Sequence, residues 1–201
     1  GPVLHYSYLP NLYVDKTENF PYLAYGGTYD EAGTHHIGAV SYYYSGESCW
    51  YNVGGYFYES ESYPLQALAY TRYEPYSYVA YIANEELYVK RGSGGWQQMP
   101  SSSPVAISVK PGSGVDLELL NGNPVVAYGN NDGYLTVMQC VYNSGIYEWQ
   151  PISPTGSNPV GDSPVKLFVD NNTLYLAYAG SDQKVSVMKY NGSTWSYIDS
   201  P

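Results

Sequence analysis

The sequence predicts an all-β chain, a β-propeller of four blades with four antiparallel strands each. Three observations predict it. An Ala-Tyr signature recurs four times, ending at Tyr25, Tyr81, Tyr128 and Tyr178. A tryptophan follows each copy, at Trp50, Trp96, Trp149 and Trp195. Between these markers apolar residues alternate with polar ones, and Asn, Gly and Pro punctuate them, as short strands joined by tight turns require. Two markers that drift together through four copies define an internal repeat of roughly 50 residues.

The third and fourth units align best: Asp116–Tyr128 lies on Lys166–Tyr178 without a gap, and Thr136-Val-Met138 matches Ser186-Val-Met188. In the fourth unit the strands fall at 165–170, 173–179, 184–190 and 194–198. The turns between them are Asn171-Asn172, Gly180-Ser-Asp182 and Asn191-Gly192. Asn and Gly tolerate the positive φ that tight hairpins demand. The same pattern places strands at 11–16, 20–26, 36–44 and 48–53, at 65–71, 77–83, 85–91 and 95–99, and at 115–120, 124–129, 134–142 and 147–152. The blades are 9–54, 55–102, 103–156 and 157–201 of one domain.

One four-stranded sheet cannot bury both of its faces, so the units stack face to face around an axis. Ala24, Ala80, Ala127 and Ala177 are expected where strands crowd together near that axis. The tryptophans are expected on outer strands, where a large ring fills the gap between splayed sheets. Four units suffice for a closed four-bladed ring, with residues 3–9 as a strand latching onto the last blade. The alternatives are half of an eight-bladed ring made by two chains, and part of a longer array. A monomer is favoured over a dimer.

Composition sets limits on partners. The formal charge is −10. An acidic surface repels phosphate backbones, which argues against nucleic acid and anionic membranes. The sequence contains no run of 18 apolar residues, the length a membrane-spanning helix requires. The two cysteines, Cys49 and Cys140, occupy non-equivalent places in different units, so they read as separate thiols rather than a disulfide framework. There are 27 Tyr against 3 Phe and 4 Trp. Tyr combines an apolar ring with a polar tip, and so suits half-exposed sheet faces and sugar-stacking surfaces alike.

Lys184-Val-Ser-Val-Met-Lys-Tyr-Asn-Gly-Ser-Thr-Trp195, with the Ala-Tyr copies before it, resembles bacterial propeller repeats of the form PYVAY-turn-KVSVMKYNGSTW. The resemblance covers essentially the whole chain. It implies a secreted or cell-surface protein, any signal peptide having been removed, and it implies a fold rather than a chemistry. The size is also similar to hemopexin-type four-bladed domains, and lectin propellers share the aromatic-rich plan.

The candidate site residues lie where the units depart from one another. The first unit carries the insertion 27–36, which holds His35 and His36. The second carries Arg72, Tyr73 and Tyr76 in its first hairpin, where the others have Asp or Asn turns. Asn131, Asp132 and Tyr134 occupy a turn in the third unit. Loop variation on a regular scaffold marks function, and these residues are assigned to ligand binding. The two loops at 27–36 and 71–77 place the working face on the rim of the first two blades. Adjacent His35 and His36 point to opposite faces of a strand and lack further ligands at metal spacing, so no metal or other cofactor is predicted.

Carboxylate pairs (Asp116 with Glu118, Glu59 with Glu61, Glu85 with Glu86) show no sign of converging across a cleft as a glycosidase requires. No nucleophile elbow or phosphate loop is present. The function expected is a non-catalytic extracellular module binding a glycan or a surface partner through exposed tyrosines. A polysaccharide-acting enzyme and a structural or protein-binding propeller are the alternatives, and catalytic residues are assigned to none.

Overall fold

A computed structural model describes residues 6–15, 18–28, 30, 33–100, 104–154, 160 and 164–199, with strand backbone alone at 6–8 and 199. It contains four sheets of four antiparallel strands, each a simple meander. The first sheet comprises β1 (Tyr6–Val14), β2 (Pro21–Thr28), β3 (His36–Tyr44) and β4 (Cys49–Ser60). The second comprises β5 (Leu65–Tyr73), β6 (Tyr76–Ala83), β7 (Glu86–Gly92) and β8 (Trp96–Gln98). The third comprises β9 (Val115–Leu120), β10 (Asn123–Gly129), β11 (Leu135–Asn143) and β12 (Ile146–Pro151). The fourth comprises β13 (Lys166–Asp170), β14 (Thr173–Ala179), β15 (Val185–Tyr190) and β16 (Trp195–Asp199). Each strand read from the sequence corresponds to one of these. At Asn171 and Asn172 both residues have positive φ, 46° and 60°, as a two-residue hairpin with mirror-image turn geometry demands.

The strand register explains the repeat. Leu23, Val79, Val126 and Leu176 share one face of their sheets with Tyr25, Tyr81, Tyr128 and Tyr178; the alternate residues, including the four alanines, take the other face. In the second sheet Val79 and Tyr81 pack toward the first sheet, whereas Ala80 packs toward the third. In the third sheet Val126 and Tyr128 face back to the second, and Val125 and Ala127 face on to the fourth. Each Ala-Tyr therefore presents its tyrosine to the preceding blade and its alanine to the next. The alanines sit in the second strand of each sheet, one strand out from the axis. The first strands line a central cavity of about 300 Å³, which Pro10, Ala67, Ser113 and Pro164 help to enclose.

Three buried clusters hold the blades together, one between the first and second sheets, one between the second and third, and one between the third and fourth. Among the described residues no fourth cluster joins the last sheet to the first. β5 packs on β1, β9 on β5 and β13 on β9. Among the described residues the arrangement is thus an arc of four blades with two end faces, and it does not close into a four-bladed ring. Residues 6–9 do not latch onto the last blade. They belong to β1: Tyr6, Ser7 and Tyr8 pair with β2, Tyr6 opposite Thr28, and Leu9 lies at the register shift that follows. Residues 3–5 lie outside the described residues.

The tryptophans tie neighbouring sheets. Trp96 Nε1 donates to Val53 O at 3.1 Å, Trp149 Nε1 to Met99 O at 2.9 Å, and Trp195 Nε1 to Ile152 O. Each acceptor lies three residues beyond the tryptophan of the preceding blade. Many of the described tyrosines pack in the same seams: Tyr22 stacks on Tyr70 at 6.0 Å between ring centroids, and Tyr81 on Tyr88 at 5.3 Å. Cys49 and Cys140 are free thiols, and burial pushes that of Cys140 up to about 11.

Candidate functional site

In a four-strand meander, alternate turns fall at opposite ends of the sheet. The turns β1–β2 and β3–β4 share one rim with their counterparts in every blade; the turn β2–β3 and the blade-to-blade connections share the other. The predicted residues divide accordingly. Arg72, Tyr73 and Tyr76 lie on the first rim. His35, His36, Asn131, Asp132 and Tyr134 lie on the second. The working face expected from the loops at 27–36 and 71–77 is therefore corrected: antiparallel topology sends these loops to opposite ends of their blades.

On the second rim, Asp30 organises the loop ahead of His35. Its carboxylate accepts the backbone N–H of His35 at 2.8 Å and that of Thr34 at 3.1 Å. Hydrogen bonding, with the Thr34 hydroxyl foremost, lowers its pKa to about 2. His35 lies 3.9 Å from both Glu59 and Glu61, while His36 is in β3, paired with Ser60. Asn131 and Asp132 are exposed turn residues, and Tyr134, 41% exposed, follows them.

On the first rim, Arg72 closes the seam between the first two blades. Its Nε donates to Asp15 at 3.2 Å and its Nη2 to Glu18 at 3.2 Å, with Glu74 also paired to it. The guanidinium lies 4.6 Å from the centre of the Tyr22 ring, and only 12% of the side chain is exposed. Asp15, Glu18 and Glu74 form the described cluster of metal-capable groups, and Arg72 already stands among them as its counter-charge. Tyr73 is 61% exposed at the tip of the hairpin.

The chain has two arginines. The second, Arg91 at the end of β7, lies in the next seam on the same rim and is half-buried. Tyr76 at the start of β6 lies 4.6 Å beneath its guanidinium. Tyr147 of the third blade stands 5.2 Å away, its hydroxyl accepting from Nη1 at 2.9 Å. Two clefts adjoin here. One, of about 480 Å³, is lined by Tyr76, Arg91, Trp96 and the Gly92–Gly95 turn. The other, of about 450 Å³, is lined by Arg91, Gln98, Ile146 and Tyr147. Gln97 lines both. Sites of this volume hold small ligands.

A guanidinium offers five N–H donors in a fixed plane. Set between aromatic faces and beside amides, it can grip adjacent hydroxyls while a ring packs on C–H groups. Among the described residues no carboxylate lines either cleft. Of the candidate carboxylates, Asp116 is turned into the seam between the third and fourth blades, where it binds Lys166 and the Leu167 N–H. Glu86 accepts from the Tyr88 hydroxyl.

Of the predicted ligand residues, the structure brings Tyr76 to these clefts. Arg91, Gln97 and Tyr147 join it there without standing out in the sequence. A Lys-Arg pair at a strand end ordinarily reads as solvated charge. The available signal was the scarcity of arginine, with both copies at strand ends before the variable turns.

Neither a protein-family model nor a curated protein sequence matches the chain. Solved structures do. SapL1 lectin in complex with alpha methyl fucoside is 15% identical with a TM-score of 0.66, over 98% of this chain and 64% of that one. The six-bladed fungal lectin of Aleuria aurantia is also 15% identical, with a TM-score of 0.62 and the same two coverages. Trypanosoma rangeli sialidase in complex with sialic acid is 11% identical with a TM-score of 0.61, over 98% of this chain and 38% of that one. The likeness is one of fold. The chain is a β-propeller, and it spans less than two thirds of each of these structures.

Proposed function

We propose that the chain is a non-catalytic carbohydrate-binding module whose site is the Arg91 seam between the second and third blades. The observation that carries this reading is the Arg91 guanidinium, held against Tyr76 and bonded to Tyr147 at the meeting of two clefts of monosaccharide size. Sugars present C–H faces that suit aromatic rings and hydroxyl pairs that suit a planar donor fork. The lectins among the similar structures support the reading by fold, and binding of this kind fits a protein working outside the cell. The likeness to a sialidase raises an enzymatic alternative; among the described residues no carboxylate lines either cleft to serve as the acid that ordinary glycoside hydrolysis requires, which favours binding over turnover.

A glycan array followed by calorimetry on the best sugar tests the proposal. Arg91→Ala is expected to weaken binding roughly 10- to 100-fold, the worth of one or two charge-assisted hydrogen bonds. Arg91→Lys, which keeps the charge without the fork, is expected to fall between. Failure of the unaltered chain to bind any sugar, or undiminished binding by a folded Arg91→Ala variant, would refute it.

A further inference from the structure

The two end faces of the arc keep the residues of an interface. On the fourth blade, Ala177 pairs with Val187 and Ala179 with Val185. The matching pairs on the third blade are Ala127 with Val137 and Gly129 with Leu135. Where the next blade covers them, Ala127 and Val137 are fully buried and Leu135 is 5% exposed. At the end of the arc Val185 is 68% exposed and Phe168 57%. Tyr175, Ala177 and Val187 are half-buried beside them.

The first blade mirrors this on its opposite face. Val79 and Tyr81 are buried at 0% and 3% against the blade before them, whereas Leu23 and Tyr25, their counterparts, are half-buried, and Leu12 is 66% exposed. The tryptophan tie is also half-present at each end. Trp50 is 50% exposed and rests on Tyr43 of its own blade. The acceptor position three residues after the last tryptophan is Ile198, itself 52% exposed.

The face that the fourth blade leaves open is of the kind that the first three use to receive the next blade. The face that the first blade leaves open is of the kind that the others use to join the preceding one. We infer that a second copy of this chain docks head to tail across them, seating Trp50 of one copy against the Ile198 carbonyl of the other. The contact continues the seam that already joins successive blades, and it is heterologous: two different surfaces meet. If both ends pair within two copies, the product is an eight-bladed ring; if the rotation does not close, it is an open stack.

Sedimentation analysis at concentrations up to about 0.1 mM, above the micromolar range of a standard-sized interface, is expected to show particles of at least twice 22.3 kDa. Trp50→Ala and Val185→Glu alter side chains exposed in the single chain, so both variants fold. Each alone is expected to be monomeric, because each has lost one of the two faces. An equal mixture of the two is expected to regain a dimer, joined through the intact face of each. A monomeric unaltered chain overturns the inference. If that monomer also shields Trp50 from a fluorescence quencher, the end faces close on each other within one chain. Variants that remain associated, or a mixture that stays monomeric, overturn it as well.

Discussion

Asp116 in β9 accepts the backbone N–H of Leu167 in β13 at 2.7 Å. The bond crosses the seam between the third and fourth blades, close to the axis, and Lys166 adds a second contact to the same carboxylate at 3.2 Å. A strand on the rim of a sheet needs partners for its outward N–H groups, and here one blade supplies them to the next. The tryptophans do the same at the outer edge. The seam between the third and fourth blades is therefore fastened at both ends by directional bonds around an apolar middle.

The Asp116 carboxyl titrates above its ordinary value of 3.8, because burial disfavours the charged form more than Lys166 and the Leu167 N–H favour it. A carboxyl raised in the folded state binds protons there that the unfolded chain has already released. Its contribution to stability therefore declines as pH rises from about 4 through the raised value. Asp116→Asn, which keeps an acceptor for Leu167, is expected to flatten that part of the stability–pH curve. Asp116→Ala is expected to cost about 1–3 kcal/mol by leaving a buried N–H unsatisfied. Urea melts between pH 3.5 and 7, a range set around the ordinary carboxylate value, check both; an Asp116→Asn curve parallel to that of the parent contradicts the assignment.

The four tryptophans occupy one repeat position but do different amounts of work. Trp149→Phe removes the bond to Met99 O and is expected to cost about 0.5–1.5 kcal/mol. Trp50→Phe, at the uncovered end, is expected to change the stability of the dilute chain by less than about 0.5 kcal/mol. Chemical denaturation of the two variants side by side makes the comparison, and equal losses would show that Trp50 is already engaged.

Arg72 pairs with three carboxylates, of which Asp15 is 5% exposed. Arg72→Met is expected to destabilise by roughly 3 kcal/mol, since removing one partner strands a buried charge. Adding Asp15→Asn to that variant should recover part of the loss, so the double-mutant cycle should show coupling of at least about 0.5 kcal/mol. Additive effects would mean that Arg72 acts mainly by packing on Tyr22.

The site divides less evenly between sequence and structure than the fold does. His35 and Arg72 stand in the two most irregular loops, and irregularity is visible in a sequence. Which end of a blade each loop occupies follows from counting strands, and the count sends them apart. Arg91 escaped notice because its partners are remote along the chain. Tyr147 is 56 residues away, and the two meet only because the second and third blades pack face to face. Tyr76 was legible as an unusual hairpin residue, but its role under Arg91 depends on the pairing of β6 with β7, which sets Tyr78 opposite Arg91.

The sequence by itself determined the number of blades and the strands in each. These are local properties: alternation assigns a face, and Asn-Gly turns assign an end. Only the tertiary structure decided how the blades are disposed around the axis. Whether the fourth blade meets the first depends on small rotations at each seam, set by the bulk of side chains such as Phe57 and Tyr81, whose rings lie 5.4 Å apart between the first two blades. No single repeat encodes that sum, so four similar units can be read with ease while the closure of their ring cannot.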